Sequence, residues 1–182
     1  MRCKSTDIAG VIVIERDFFR DIRGTFGRLF CKEDFARHGL MTQIAQSNFS
    51  HNPVGGTVRG FHFQAKPHQE AKLVQCVAGR IFDVALDLRR DSPTYRKFFA
   101  LELCPEAGRL LYVPPGCAHA FQTLEDNSAV VYHVSTAYSA AHERGVRWND
   151  ERIGVPWPIT TNPIVSDRDM SLPFLADYVP DA

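Results

Sequence analysis

Short β-rich runs, separated by turns of glycine, proline and asparagine, dominate this chain of 182 residues. The runs contain the β-branched and aromatic residues of strands, and Gly79-Arg80 is a tight hairpin signal between two of them. Strands are predicted at 10–14, 18–30 (a pair broken at Arg23-Gly24), 42–50, 57–64, 72–78, 81–88, 98–104, 109–113, 118–124 and 129–136. So many short strands in a single domain, residues 1–182, predict an all-β jelly roll, either a barrel or a sandwich.

Helical patterns are few and short. Residues 32–38 form the best internal helix pattern, and Gly39 ends it. From about residue 156 the chain is rich in proline, which predicts a tail that wraps the barrel surface, with a short helix near 171–178. We therefore expect a few peripheral helices and no helical layer.

One strand has acidic residues opposite a clean apolar face. In the run 81–88, Phe82, Val84 and Leu86 point one way, whereas Asp83 and Asp87 point the other. The run 42–50 is polar on both faces. A small β-barrel that encloses a ligand produces this mixture, because its interior holds polar groups.

The charge balance and the cysteine content limit the kinds of binding partner and the compartment that we expect for this protein. The chain has 21 basic residues (Lys and Arg) and 21 acidic ones, so no net field favours nucleic acid or an anionic membrane. Five scattered cysteines without a C-x-x-C motif favour reduced thiols in a cytoplasmic protein. The apolar stretch 8–14 is too short for a signal peptide, and no run approaches transmembrane length. Recognition of an anion must therefore come from a few placed arginines.

Two spaced patterns centre on histidines. The first runs from Gly56 through His62 to Gln64, and the second, over 108–123, contains His119. Both resemble the motifs of cupin jelly rolls, in which metal-binding members have a second histidine at the position of Gln64. An amide is a poor transition-metal ligand, and two histidines fall short of the usual three protein ligands. We therefore expect no metal.

Longer segments resemble the dTDP-4-dehydrorhamnose 3,5-epimerase family of nucleotide-sugar epimerases. They occur in order along most of the chain: DIRG (21–24), QSN (46–48), VRGFHFQ (58–64), EAKLV (70–74), FDVALDLRRDSPTY (82–95), YVPPGCAHAF (112–121), VVYHVS (130–135), ERGVRWND (143–150), VPWP (155–158) and SDRD (166–169). The resemblance implies a cupin-type jelly roll and an isomerase that inverts C3 and C5 of a nucleoside-diphosphate 4-keto-6-deoxyhexose. Proton abstraction and opposite-face reprotonation need no cofactor, and the chain has no dinucleotide or P-loop motif.

The same resemblance implies four catalytic roles. His62 matches the base, and imidazole suits this task because it is largely unprotonated at neutral pH. Asp169 matches the carboxylate that orients the base, Tyr132 the acid on the opposite face, and Lys72 the cation beside the C4 oxygen. Considered singly, each residue also has a more ordinary interpretation. His62 and Tyr132 would be core residues, and Asp169 and Lys72 would be solvent-exposed charges.

Substrate-binding roles follow in the same way for a larger set: Arg23, Gln46, Asn48, Arg59, Lys72, His119, Tyr138, Glu143 and Arg168. Arginine forks suit paired phosphate oxygens, and Tyr138 matches an aromatic side chain that stacks on the base. Arg59 and His62 have opposite strand parity, so both reach one site only if a bulge or a strand end intervenes.

The sequence leaves open the partner of Asp83, the nucleotide and the exact reaction. Asp83 is expected to orient either His119 or Lys72. Arg28 stands where many relatives have a glutamate, which leaves dTDP, CDP and GDP all open as the nucleotide. The alternatives are an epimerase that acts at C3 only or C5 only on another keto sugar, and a sugar-binding cupin without activity. The resemblance also implies a homodimer.

Overall fold

A computed structural model describes residues 1–178 of the chain. The described residues form the strands β1 (Arg2–Ser5), β2 (Ile12–Glu15), β3 (Phe19–Asp21), β4 (Gly24–Phe26), β5 (Gln46–Asn52), β6 (Val58–Gln64), β7 (Lys72–Ala78), β8 (Ile81–Asp87), β9 (Phe98–Leu103), β10 (Arg109–Val113), β11 (Cys117–Thr123), β12 (Ser128–Val134) and β13 (Glu143–Gly145). The helices are α1 (Lys32–Arg37) and α2 (Asp167–Met170), and a 3-10 turn covers Pro105–Ala107.

Two antiparallel sheets make up the body of the molecule. The six-stranded sheet has the order β1-β2-β10-β7-β12-β5, and the five-stranded sheet has the order β13-β6-β11-β8-β9. Strands β3 and β4 form a separate hairpin. Successive strands such as β6, β7 and β8 alternate between the sheets, as they do in a jelly roll. The predicted all-β, cupin-type jelly roll is confirmed.

An apolar core fills one part of the space between the sheets. Val74, Leu111 and Val130 of the six-stranded sheet pack there against Ala85 and Phe121 of the five-stranded sheet. This core fixes the spacing of the two sheets, so residues farther along the same strands face each other across a gap. The gap becomes the pocket described below.

The outer faces of both sheets are also covered. On the six-stranded sheet, Phe35 of α1 packs in a cluster with Leu73 and Leu110. On the five-stranded sheet, the tail residue Trp157 packs with Phe61 and Val84. The apolar face of β8 therefore lies beneath the tail, and the face that carries Asp83 points to the interior between the sheets.

The described part of the tail packs on the five-stranded sheet, and its local structure differs from the prediction. Ile164 forms a parallel bridge with Thr57 beside β6. The helix expected near 171–178 is wrong: α2 occupies Asp167–Met170, and residues 171–178 form turns and coil. Ser166 caps α2 by accepting a hydrogen bond from the Asp169 amide at 3.1 Å, and Pro173 has no amide hydrogen with which to continue a helix.

The predicted strands all correspond to observed ones, with ends that differ by a few residues. Two short strands, β1 and β13, were not predicted. Within residues 1–178 no helix is long and apolar enough to cross a membrane.

Candidate active site

A pocket of about 560 Å³ opens between the two sheets. The pocket is lined by most of the residues that were predicted from the sequence to be catalytic or to bind substrate: Gln46, Asn48, Arg59, His62, Lys72, His119, Tyr132, Tyr138, Glu143 and Arg168. They come from β5, β6, β7, β11, β12, the loop before β13, β13 itself and α2. The fold therefore brings together residues that lie far apart in the sequence.

A bulge in β6 places Arg59 and His62 on the same wall of the pocket. His62 pairs with His119 and Arg59 pairs with Phe121, so Gly60 and Phe61 of β6 lie opposite the single residue Ala120 of β11. Gly60 lies at this register shift with φ +109°, and a Cβ there would come within 2.5 Å of the His119 carbonyl oxygen. Only glycine fits this position. The bulge that the parity argument required is present.

His62 and Asp169 form a hydrogen-bonded pair at one side of the pocket. His62 Nε2 lies 2.7 Å from Asp169 Oδ1, and the Gly60 amide donates to Asp169 Oδ2 at 3.0 Å. Burial alone would raise the pKa of Asp169, but these hydrogen bonds outweigh it and hold the pKa below its usual value. The ionised carboxylate fixes the imidazole ring. No described residue hydrogen-bonds His62 Nδ1, which leaves that nitrogen available to a ligand.

Lys72 is a buried cation beside this pair. Its Nζ donates to the His62 carbonyl oxygen at 2.9 Å and lies 3.3 Å from Glu70 Oε1. Burial lowers the pKa of Lys72, and the negative charge of Glu70 partly offsets the effect. Glu70 also lines the pocket, although the sequence predicted no role for it.

Tyr132 faces the pocket from the other sheet. It lies on β12, whereas His62 lies on β6. Burial raises the pKa of Tyr132, and the nearby charge of Arg59 acts weakly in the opposite direction. The phenol therefore keeps its proton at neutral pH.

His119 forms a second pair with a carboxylate. Its Nε2 lies 2.7 Å from Asp83 Oδ1, and both residues are buried. Of the two partners expected for Asp83, the structure therefore selects His119. Among residues 1–178, no cluster of three or more His, Cys, Asp or Glu side chains could hold a metal ion.

Polar side chains form a network at the mouth of the pocket. The Tyr138 hydroxyl donates to Glu143 Oε2 at 2.6 Å, and Glu143 also forms an ion pair with Arg168. The Tyr138 amide donates to Gln46 Oε1 at 3.1 Å, and Gln46 in turn donates to Asn48. The network holds an aromatic ring and a cationic group at the opening.

Two arginines lie away from this pocket. Arg23 is in the turn of the exposed β3–β4 hairpin, where its side chain is 85% exposed and pairs with Asp21. Arg28 is also exposed and lies 3.8 Å from Asp34 Oδ2. The structure therefore does not bring Arg23 to the pocket of its own chain.

The helical turn that carries Asp169 and Arg168 was not predicted from the sequence. Both lie on α2, a single helical turn capped by Ser166. The spacing Ser166-x-x-Asp169 is the signal that could have located this turn, because a serine three residues before the acid can accept from its amide. The contacts of Gln64, which are described below, were not predicted either.

Comparisons with known proteins agree on one family. The family model described as dTDP-4-dehydrorhamnose 3,5-epimerase matches residues 5–177. A protein of that name from Sinorhizobium fredii is 42% identical over 177 residues, which are 97% of this chain and 91% of the relative. The crystal structure of dTDP-4-dehydrorhamnose 3,5-epimerase from Bacillus anthracis, with TDP and PPi bound, is 40% identical with a TM-score of 0.92 and covers 96% of this chain and 99% of that one.

A further solved structure contains a sugar nucleotide. It is dTDP-6-deoxy-D-glucose-3,5-epimerase from Legionella pneumophila in complex with dTDP-4-keto-L-rhamnose. The two chains are 28% identical, with a TM-score of 0.93 and coverage of 100% of this chain and 98% of that one.

Proposed function

We infer the chemistry of this pocket from one premise: the chain belongs to the dTDP-4-dehydrorhamnose 3,5-epimerase family. It is an isomerase that inverts C3 and C5 of a 4-keto-6-deoxy sugar joined to a nucleoside diphosphate. The roles of individual residues, the nucleotide and the assembly are our proposals.

The first step is removal of a proton from carbon. The C4 ketone acidifies the hydrogens on C3 and C5, because the resulting negative charge is delocalised onto the ketone oxygen. We assign His62 as the base, with Nδ1 as the accepting nitrogen, since Nε2 is engaged by Asp169 at 2.7 Å. The buried carboxylate stabilises the imidazolium that forms.

The enolate places negative charge on the C4 oxygen. Lys72 is a buried cation, and its contact with the His62 carbonyl oxygen fixes it next to the base. A cation held in a site with little water stabilises a developing oxyanion more strongly than it would in bulk solvent. The proposal gives Lys72 this role.

Return of the proton from the opposite face completes each inversion. Tyr132 lies on the six-stranded sheet, opposite His62 on the five-stranded sheet, and this opposition is the observation that carries the proposal. The phenol gives its proton to the carbanion, the imidazolium loses its proton to solvent, and water reprotonates the phenolate. The cycle runs once at each carbon and consumes no oxidant or reductant.

The mouth of the pocket suits a nucleoside diphosphate. Arg59 and Arg168 offer guanidinium groups to phosphate oxygens, and the Tyr138 ring offers a face for a base. We propose dTDP as the carrier, because two of the similar solved structures hold TDP or a dTDP sugar.

Two copies of the chain are proposed to form the active enzyme. Arg23 lies on the β3–β4 hairpin outside its own pocket, and the exposed Phe19, Ile22 and Phe26 on the same hairpin are suited to burial against a partner. Mixing the inactive variants Arg23→Ala and His62→Asn tests this. If Arg23 serves the partner's site, random reassembly restores about a quarter of wild-type activity. Absence of any recovery in a mixture shown to exchange subunits contradicts it.

The state of the cysteines indicates the cellular compartment of the enzyme. All five are free thiols in the structure. Unpaired cysteines are stable in a reducing compartment, so we propose that the enzyme works in the cytoplasm.

Incubation of dTDP-, CDP- and GDP-linked 4-keto-6-deoxyglucose in D₂O tests the function and the nucleotide together. Proton NMR should show loss of both the C3–H and C5–H signals, fastest for the dTDP sugar. Loss of one signal only would indicate a single-centre epimerase, and faster exchange of another nucleotide sugar would refute dTDP as the carrier.

A further inference from the structure

Gln64 is a buried amide that holds the loop carrying Tyr138. The Ser139 amide donates to Gln64 Oε1 at 2.6 Å, and Gln64 Nε2 donates to the carbonyl oxygens of Ala137 at 3.3 Å and His68 at 3.1 Å. Gln64 is only 5% exposed. One side chain therefore bonds the backbone immediately before and immediately after Tyr138.

Gln64 is the buried side chain that bonds the backbone on both sides of Tyr138, whereas the Tyr138 amide and hydroxyl bond to Gln46 and Glu143 at the mouth of the pocket. Residues 135–142, between β12 and β13, have no regular secondary structure. Tyr138 is 55% exposed, so its ring is held less by packing than by the hydrogen bond from its hydroxyl to Glu143 and by the backbone that carries it. A loop that must be ordered when its ligand binds loses affinity through the conformational entropy of ordering.

We propose that Gln64 is a positioning residue for nucleotide binding, which orders the backbone at 137–139 so that the Tyr138 ring stands ready at the mouth of the pocket. This inference rests on the proposed stacking role of Tyr138. It assigns a purpose to the position at which a metal-binding cupin has a histidine.

The numbers of hydrogen-bond donors and acceptors explain why residue 64 is an amide. The backbone around Gln64 offers one N–H donor and two carbonyl acceptors, and a primary amide supplies one acceptor and two donors. Neutral imidazole has only one donor and one acceptor, and an ionised glutamate has no donor. Glutamine is therefore matched to the loop at this position, whereas histidine and glutamate are not.

The chain offers a matched control in Gln122. Its Nε2 donates to the Ile159 carbonyl oxygen at 2.7 Å, and its Oε1 accepts from the Ile159 amide at 2.9 Å. Gln122 is fully buried and does not line the pocket. Replacing it with methionine removes the same kind of contact from the backbone of Ile159, a residue that does not line the pocket.

The experiment measures dTDP affinity by calorimetry, together with kcat and KM for the dTDP sugar. Tyr138→Ala should weaken dTDP binding about 5- to 150-fold, the range of a lost base–aromatic stack. Gln64→Met should weaken it about 5-fold or more and raise KM, while kcat stays within about threefold. The double variant should bind within about twofold of Tyr138→Ala, because the two changes remove one interaction. Gln122→Met should lower the melting temperature but keep the dTDP Kd within about twofold.

Each other result counts against the inference in a distinct way. Wild-type affinity in Gln64→Met shows that the loop needs no such support. Full additivity in the double variant shows that Gln64 acts independently of Tyr138. Equal weakening by Gln122→Met assigns the effect to general stability. Unchanged binding in Tyr138→Ala removes the stacking role and this inference with it, while the exchange experiment in D₂O still decides the epimerase chemistry.

Discussion

Asp169→Asn is the substitution that most directly probes the pairing of the base with its carboxylate. The change keeps the shape of the side chain and removes its negative charge. His62 Nε2 and Asp169 Oδ1 are 2.7 Å apart, and the side chains are 32% and 5% exposed. Unit charges centred about 4 Å apart attract by about 1 kcal/mol in water and about 4 kcal/mol at an effective dielectric constant of about 20. Because His62 is partly exposed and Asp169 is buried, we take an intermediate attraction of about 2–3 kcal/mol between the carboxylate and the imidazolium. Its loss corresponds to a fall in kcat of roughly 30- to 150-fold.

The assay compares steady-state kcat and KM for the dTDP sugar in three proteins. In Asp169→Asn, kcat should fall by about two orders of magnitude with KM nearly unchanged, because the charge stabilises an imidazolium that forms only during the reaction. Asp167→Asn is the control, since it makes the same change at an exposed acid two residues away on α2. A kcat within about threefold of wild type in Asp169→Asn would show that this carboxylate does not support the base.

Three further predictions follow from other contacts. Lys72→Met should lower kcat about 10²–10³-fold by removing the cation beside the C4 oxygen, and an unchanged kcat would exclude that role. Tyr132→Phe should retain solvent exchange at C3 or C5 while product formation is lost, and normal epimerisation would exclude Tyr132 as the acid. Asp87 is buried, which opposes ionisation, but hydrogen bonds from Arg89 and its neighbours lower its pKa from 3.8 to about 2. Because the folded pKa lies below the unfolded one, Asp87→Asn should cost about 2 kcal/mol of unfolding free energy at pH 7. Urea titrations should show that this difference shrinks as the pH falls from about 4 to about 2, and a constant difference would contradict the assignment.

Much of the fold could be predicted from local sequence. Alternation and turn signals located every long strand, because side-chain period and glycine placement are local properties. The very short strands β1 and β13 offered too few residues for a pattern. The helix α2 depends on one capping contact between Ser166 and Asp169, which a search for apolar periodicity does not detect.

The site was predictable as a set of residues but not as an arrangement. The parity of Arg59 and His62 required a bulge, and only coordinates could place it at Gly60. Asp83 had two plausible partners in the sequence, and the choice of His119 follows from the pairing of β8 with β11. Arg23 was expected in the pocket, yet the hairpin that carries it lies elsewhere on the chain.

Gln64 illustrates the limit of motif reasoning most clearly. In the sequence it is informative only by contrast, as a residue that cannot hold a metal. In the structure its amide makes three hydrogen bonds to backbone that is distant in sequence or lies in an irregular loop. Such contacts depend on tertiary placement, so the residue type alone does not reveal them.

We propose that His62 removes the protons at both C3 and C5. The most direct test follows the C3–H and C5–H signals of dTDP-4-keto-6-deoxyglucose in D₂O with the wild-type protein and with His62→Asn. Both signals should disappear with the wild type and both should persist with His62→Asn, while circular dichroism and dTDP affinity show the variant to be folded. Exchange at either carbon at the wild-type rate in His62→Asn would contradict this proposal.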